Sequence, residues 1–227
     1  MEEIFEITED LMIGGLKIVQ DKRLYRFTSD SILLSRFASV KSGETVADFC
    51  AGSGIVGLHY YALNESKVKS VTLFELQSEL CAIAKKSIQI NGLENKFSLV
   101  EGKLQDAPKS LNGSFSLVLC NPPYKKKNSG EQNLAPHVAI CRHEIEITLS
   151  EIVQTASRLL KHGGRFCICQ RIERLTDLLC AMRECKIEPF RLVFVRTKKG
   201  DPYLFICEGV KGKTPQMKIS KEIVNGD

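Results

Sequence analysis

The sequence predicts an α/β fold: a Rossmann-like, mostly parallel sheet of seven strands with one antiparallel strand, preceded by a short N-terminal hairpin and helix. Three observations carry this. From about residue 44 onward, short apolar runs alternate with longer stretches of helical periodicity, the mark of repeated βαβ units. The first of those runs leads directly into a glycine-rich turn, Cys50-Ala51-Gly52-Ser53-Gly54. The last two runs are joined by Thr197-Lys198-Lys199-Gly200-Asp201-Pro202, too short for a helical crossover, so those strands must pair antiparallel.

At the N-terminus, Gly14-Gly15 and Asp21-Lys22-Arg23 read as turns bracketing a strand from Leu16 to Gln20, with Leu24 to Phe27 as its hairpin partner. Ser29 or Asp30 then caps a helix whose apolar face is Ile32, Leu33, Phe37 and Ala38. Strands are expected at 44–49, 70–75, 97–101, 115–120, 165–170, 190–196 and 203–208. Helices are expected near 54–63, 77–91, 144–161 and 172–186, each with apolar residues recurring every three or four positions. Residues 211–227 are polar, lysine-rich and without clear periodicity, the pattern of a flexible tail. The expected division is an extension over 1–43, one domain over 44–210, and that tail.

Composition sets the limits. A chain of 227 residues with 43% apolar content buries one full core and hardly two. No run of about 18 apolar residues occurs, and Met1-Glu2-Glu3 is acidic where a leader would be basic, so no membrane association and a cytoplasmic location are expected. The nine cysteines lie mostly in apolar stretches, and strand alternation places Cys167 and Cys169 on the same face. Buried thiols are expected there, with no metal and no disulfide. The net charge of +5 is uneven: residues 1–120 hold 13 Lys and Arg against 15 Asp and Glu, and residues 121–227 hold 19 against 12. A basic C-terminal half favours a polyanionic partner such as nucleic acid.

The run Thr45-Val46-Ala47-Asp48-Phe49 leads a buried strand into the glycine turn and then a helix. Glycine at 52 and 54 permits positive φ and lets the backbone approach a ligand closely. Glu75 ends the second strand, about 21 residues past Gly54, where an acid accepts hydrogen bonds from the ribose hydroxyls of an adenosine. Asp48 would face a cationic group, which suits the methionine end of S-adenosylmethionine and not a pyrophosphate. Cys50, Ala51 and Leu76 complete the expected contacts. A third contact is expected after the next strand, at Asp106 or the backbone of Leu104.

Asn121-Pro122-Pro123-Tyr124 comes directly after the fourth strand, at the carboxyl edge where open α/β sheets bind ligands. Two prolines stiffen the loop. The Asn121 side-chain oxygen and the Pro122 carbonyl are then two acceptors for one planar amine, and Tyr124 offers a ring for stacking. An amine with a delocalised lone pair is a poor nucleophile, so alignment and electrostatics carry the catalysis. Asn121 also borders the cofactor. Lys125, Lys126 and Lys127 continue the loop and are expected to contact phosphates.

With these motifs, and with Gly14 to Gln20, Phe27 to Leu34 and Cys141-Arg142-His143-Glu144, the chain resembles the bacterial tRNA1(Val) adenine-37 N6-methyltransferase family of class I methyltransferases. The resemblance implies an S-adenosylmethionine-dependent enzyme acting on an anticodon-loop adenine of tRNA, with Thr28 and Asp30 lining the cofactor pocket and Arg142 holding the substrate strand. Phe49-Cys50 departs from the family's usual Leu-Gly, Ser116 from a frequent Asp and Lys103 from an acid. The alternatives are a glutamine N5-methyltransferase acting on release factors, an rRNA adenine or guanine N-methyltransferase, and a non-catalytic RNA-binding module on the same fold.

Overall fold

A computed structural model describes residues 5–24, 26–122, 124 and 147–226. The chain opens with a hairpin, β1 (Glu6–Asp10) and β2 (Lys17–Asp21), and continues into α1 (Ser29–Phe37). The main sheet then begins: β3 (Glu44–Phe49), α2 (Ile55–Asn64), β4 (Val68–Glu75), α3 (Ser78–Ile90), β5 (Phe97–Glu101) and β6 (Phe115–Cys120). After residues 125–146 come α4 (Leu149–Leu159), β7 (Leu160–Arg171), α5 (Leu175–Glu184), β8 (Ile187–Arg196) and β9 (Pro202–Lys211), then two short strands, β10 (Lys218–Ile219) and β11 (Ile223–Val224).

The sheet order is β5-β4-β3-β6-β7-β9-β8, with β10 and β11 on the outer edge of β8. Strand β9 runs antiparallel to both β7 and β8, and the other pairings are parallel. The chain winds from β3 outward to β5, then returns to lay β6 on the other side of β3. That reversal opens a crevice between the carboxyl ends of β3 and β6.

The central strands are near-continuous apolar runs because helices cover both faces. All six residues of β6 are buried. One cluster joins Val46, Leu117, Leu119, Cys167 and Cys169 to Leu34, Leu58 and Leu73; the other joins Ala47, Phe49, Val118 and Phe166 to Ile152, Leu159 and Met182. Neighbouring strand residues thus divide between the two faces, and Cys167 and Cys169 share one. Helix α4 starts from a capping box, in which the Thr148 Oγ1 accepts from the Glu151 N–H and Glu151 Oε2 accepts from the Thr148 N–H at 2.8 Å. The start expected at 144 falls outside the described residues.

Three expectations need correction. The partner of β2 is β1, with Glu9 opposite Ile18 and Asp10 opposite Lys17, not Leu24 to Phe27. Asp21 accepts from the backbone and guanidinium of Arg23 at 2.8 and 2.6 Å, and Leu24 N–H bonds back to Asp21 O, so the chain turns away there. Strand β1 has no buried residue and so no apolar alternation to detect. The N-cap position of α1 is Thr28, not Ser29 or Asp30: its backbone is extended (φ −114°, ψ 170°), and Ser29 and Asp30 already lie within the helix. The tail is not wholly loose either: Ser220 N–H reaches Leu192 O at 2.7 Å and Asn225 N–H reaches Arg196 O at 2.8 Å, covering the exposed edge of β8 and extending the sheet to nine strands. Strands of two residues carry no readable period.

The hairpin is anchored to α3 by hydrogen bonds. Asn91 donates to Lys17 O at 2.7 Å and accepts from Lys17 N–H at 2.9 Å, and Ser87 Oγ accepts from Val19 N–H at 2.9 Å.

Candidate active site

Register places the predicted residues side by side. Phe49 pairs with both Phe74 and Cys120, and Cys120 with Ile168. The glycine turn, Glu75, Asn121 and Cys169 therefore meet at the carboxyl edge of the sheet. Three residues of the turn adopt left-handed φ: Cys50 at 54°, Gly52 at 57° and Gly54 at 85°. A Cβ on Gly54 would lie 3.0 Å from Leu73 Cδ1, whereas one on Gly52 would meet nothing within 4 Å, so Gly52 presents its open backbone face to the crevice. Cys50 holds a conformation that glycine adopts more readily, which is the physical cost of that departure from the family pattern.

Asp48 is fully buried, with Oδ2 accepting from Gly57 N–H at 2.8 Å and Oδ1 without a hydrogen-bond partner among the described residues. Burial pushes its pKa up to about 7 against the pull of the Gly57 N–H, and the nearby charge of Glu75 adds to the rise. A Cβ on Gly57 would come within 2.9 Å of Leu73 Cδ2, so Gly57 serves helix–strand packing. A buried carboxyl at the end of β3, directly before the open Gly52 turn, fits a ligand with a cationic end through its charge.

Glu75 accepts from three backbone N–H groups: Gly52 to Oε2 at 2.8 Å, and Leu76 and Gln77 to Oε1 at 2.9 and 3.0 Å. Burial raises its pKa while those three bonds oppose the rise. The side chain is thereby fixed between the end of β4 and the glycine turn, and Oε2 keeps a lone pair for a ribose hydroxyl. The loop after β5 is tied to the same point by Gly102 N–H to Glu75 O at 2.9 Å. Within that loop Leu104 is buried in the core and Asp106 is exposed. Arg158 braces it from α4 through Ala107 O at 3.0 Å.

Asn121 is engaged on both sides of its amide. Its Nδ2 donates to Ser31 Oγ at 2.8 Å, and its Oδ1 accepts from the Tyr124 hydroxyl and from the Cys169 thiol, the latter at 3.0 Å. The Tyr124 hydroxyl also lies 3.3 Å from Asp30 Oδ2, and Tyr203 donates to Asp30 Oδ1 at 3.4 Å. Asn225 completes the chain, donating to Tyr203 and to Ser29 Oγ, each at 2.8 Å. Burial raises the Asp30 pKa, opposed by hydrogen bonds from Tyr124, Thr28 and Tyr203 and by the charge of Arg171. The Cys169 thiol is pushed well up by burial, so it stays protonated and a donor.

The structure thus brings together Asp30, Asp48, Cys50, Ala51, Gly52, Gly54, Glu75, Leu76 and Asn121. Thr28 is exposed at the rim and Pro122 is buried beside Asn121. Lys125, Lys126, Lys127 and Arg142 lie outside the described residues. Sequence reasoning missed Ser31, Cys169, Tyr203 and Asn225. A signal existed for one: β9 is antiparallel, so a polar-tipped aromatic at its start, Tyr203, must sit at the carboxyl edge of its neighbours.

The sequence matches the methyltransferase small-domain family over residues 28–182, more than half of the chain. The chain belongs to that family. Its cofactor is S-adenosylmethionine, and it is an S-adenosylmethionine-dependent methyltransferase. It is 23% identical over 199 residues to the tRNA1(Val) (adenine(37)-N6)-methyltransferase of Shewanella sp. (strain W3-18-1), covering 86% of this chain and 82% of that one. The enzyme of the same description from Parabacteroides distasonis is 23% identical over 175 residues, covering 75% and 70%. Among solved structures, a predicted O-methyltransferase from Agrobacterium tumefaciens superposes with a TM-score of 0.66 at 18% identity, covering 86% of each chain. Methanocaldococcus jannaschii Trm5, in complex with adenosine, superposes at 0.65 with 13% identity, covering 93% of this chain and 58% of that one. These likenesses establish the Rossmann-like class I methyltransferase fold. Among the described residues no group of three His, Cys, Asp or Glu could hold a metal, and no helix is long and apolar enough to cross a membrane.

Proposed function

We propose that the protein methylates the N6 amine of an anticodon-loop adenine in tRNA; relatives described as tRNA1(Val) (adenine(37)-N6)-methyltransferases support the reading. The observation that carries the reading is Asn121. Its amide stands at the end of β6, one strand from the glycine turn, held by Ser31 on one side. S-adenosylmethionine supplies an electrophilic methyl group on its sulfonium sulfur. Asp48, buried behind the turn, acts on the cationic end through its charge, the open face of Gly52 gives room beside Cys50, Ala51 and Gly54, and Glu75 with Leu76 takes the ribose. Leu104 or Asp106 would border the adenine of the cofactor.

Both lone pairs of Asn121 Oδ1 are taken in the free protein. An incoming amine displaces the Tyr124 hydroxyl, exchanging one hydrogen bond for another at a net cost of about 1 kcal/mol or less. That exchange frees the Tyr124 ring to stack on the target base. Asn121 Oδ1 and the Pro122 carbonyl then accept the two N–H bonds of the amine, which hold its nitrogen toward the methyl group. Thr28 and Asp30 border the cofactor, and Lys125, Lys126, Lys127 and Arg142 take phosphates of the RNA.

The test uses the purified protein with methyl-labelled S-adenosylmethionine and two acceptors, unmodified bulk tRNA and a peptide release factor. Label in tRNA, recovered as N6-methyladenosine, is expected. Label in the release factor alone would replace this reading with glutamine methylation.

A further inference from the structure

At the opposite end of the strands from the crevice, Ser39, Lys41, Arg165, Phe190, Val210 and Lys213 line an open cavity of about 510 Å³. Arg165 lies four residues before Cys169 along β7, so this cavity is about 13 Å of strand away from the Asn121 site. It is therefore separate from the methyl-transfer centre.

Its floor is a buried charge cluster. Arg165 is 3% exposed and donates through Nε to Glu208 Oε1 at 3.1 Å and through Nη2 to Glu44 Oε1 at 3.1 Å and Ser39 O at 2.9 Å. Arg191 Nη2 meets Glu208 Oε2 at 3.1 Å. The third guanidinium nitrogen, Arg165 Nη1, is buried with no hydrogen-bond partner among the described residues. Lys41 and Lys213 line the same cavity and are exposed. Among the described residues, the cations here, Arg165, Arg191, Lys41 and Lys213, outnumber the carboxylates Glu44 and Glu208. An unpaired donor of a buried guanidinium costs free energy that an anion would recover, and guanidinium with flanking ammonium groups is a preferred setting for phosphate. Loss of hydration first, and then the charge of Arg165, already lower the Lys41 pKa, a sign that positive charge is crowded here. Phe190, Val210 and Pro215 make the remaining wall apolar.

We propose that this cavity is a second ligand site, one that takes a phosphate group between Arg165, Lys41 and Lys213 and an apolar or aromatic part of the same molecule against Phe190, Val210 and Pro215. The phosphate has two possible sources, a free phosphorylated small molecule or a backbone phosphodiester of bound RNA. The second source rests on the tRNA reading above; the first does not.

Phenyl phosphate and inorganic phosphate are titrated into the full-length protein by calorimetry at low ionic strength, and then into the Lys41→Ala/Lys213→Ala double variant. Both lysines are exposed, so the variant is expected to fold, and its affinity for S-adenosylhomocysteine checks that it has. Saturable binding of phenyl phosphate, tighter than inorganic phosphate and weakened about 10-fold or more in the variant, supports the site. Absence of saturable binding to the native protein, or equal binding by the variant, overturns it. Salt titration of tRNA affinity separates the sources: an RNA phosphate predicts a slope flattened by about 0.7 to 0.9 unit per lost contact, and a free phosphorylated molecule predicts an unchanged slope with phenyl phosphate binding still lost. The phenyl phosphate result stands whether or not tRNA proves to be the methyl acceptor.

Discussion

Replacing Glu75 by glutamine keeps the side chain's size and removes its charge, and three backbone donors then face an amide in place of a carboxylate. Oε2 faces Gly52 N–H at 2.8 Å, while Oε1 faces Leu76 and Gln77 N–H at 2.9 and 3.0 Å. Glutamine has one carbonyl oxygen. Turned toward Leu76 and Gln77 it keeps two bonds and sets its NH₂ against the Gly52 N–H, and turned the other way it loses two. A buried donor without an acceptor costs about 1–3 kcal/mol, and bonds to a neutral acceptor are each weaker by about 1 kcal/mol than those to a carboxylate. Burial raises the Glu75 pKa, so glutamine escapes a desolvation cost that offsets part of this in the fold. The loss is concentrated at the glycine turn and the ribose, where a charged acceptor is worth about 2 kcal/mol, or about 30-fold in affinity. Calorimetric titration of S-adenosylmethionine into the folded Glu75→Gln variant measures it. A dissociation constant within about 3-fold of the native value would mean that Glu75 does not hold the cofactor.

Tyr124→Ala is expected to raise KM for tRNA about 10- to 100-fold by removing about 1–3 kcal/mol of base stacking, while S-adenosylmethionine affinity and the Tyr124→Phe variant stay near native values in steady-state kinetics. The folded-state pKa of Asp48 is raised to about 7 from 3.8, so the free protein holds a proton that the unfolded chain has released, and Asp48 makes the fold less stable as pH rises from about 4 to 7. A cationic ligand favours the ionised form, so cofactor affinity should increase through the same upper range, and Asp48→Asn should abolish that dependence in titrations from about pH 6 to 8. Asn225→Ala removes the donor to Tyr203 and Ser29, and thermal denaturation should register about 1 kcal/mol or less of lost stability because that contact is partly exposed.

The elements that are legible in the sequence share one property, burial on both faces. Strands β3 and β6 begin and end where their apolar runs do, because helices cover each side and nearly every residue contributes to the pattern; β5, at the sheet's edge with only Phe97 buried, is bounded by its neighbouring turns instead. Strand β1 never enters the core, and β10 and β11 are held to β8 through pairs of two residues each, so backbone bonds and not periodicity decide them. The same distinction divides the site. Asp48, Gly52, Gly54, Glu75 and Asn121 sit at the ends of buried strands, where position along the chain implies position in space. Cys169 and Tyr203 reach Asn121 and Asp30 only through sheet order and register, across 48 and 173 positions, and Asn225 reaches Ser29 across 196. The contact of the Tyr124 hydroxyl with Asn121 Oδ1 is equally invisible in the sequence, since it depends on side-chain rotamers.

Adenine methylation at Asn121 is decided by comparing Asn121→Ala with the native protein. Each is incubated with unmodified tRNA and S-adenosylmethionine, and N6-methyladenosine is quantified by mass spectrometry of the digested nucleosides over time. The native protein is expected to form N6-methyladenosine, and the variant to form it about two decades more slowly, the scale of losing one preorganised acceptor, with cofactor affinity nearly unchanged. N6-methyladenosine formed at the native rate by the variant would rule out Asn121 as the acceptor of the target amine, and its absence from tRNA treated with the native protein would rule out tRNA adenine as the substrate.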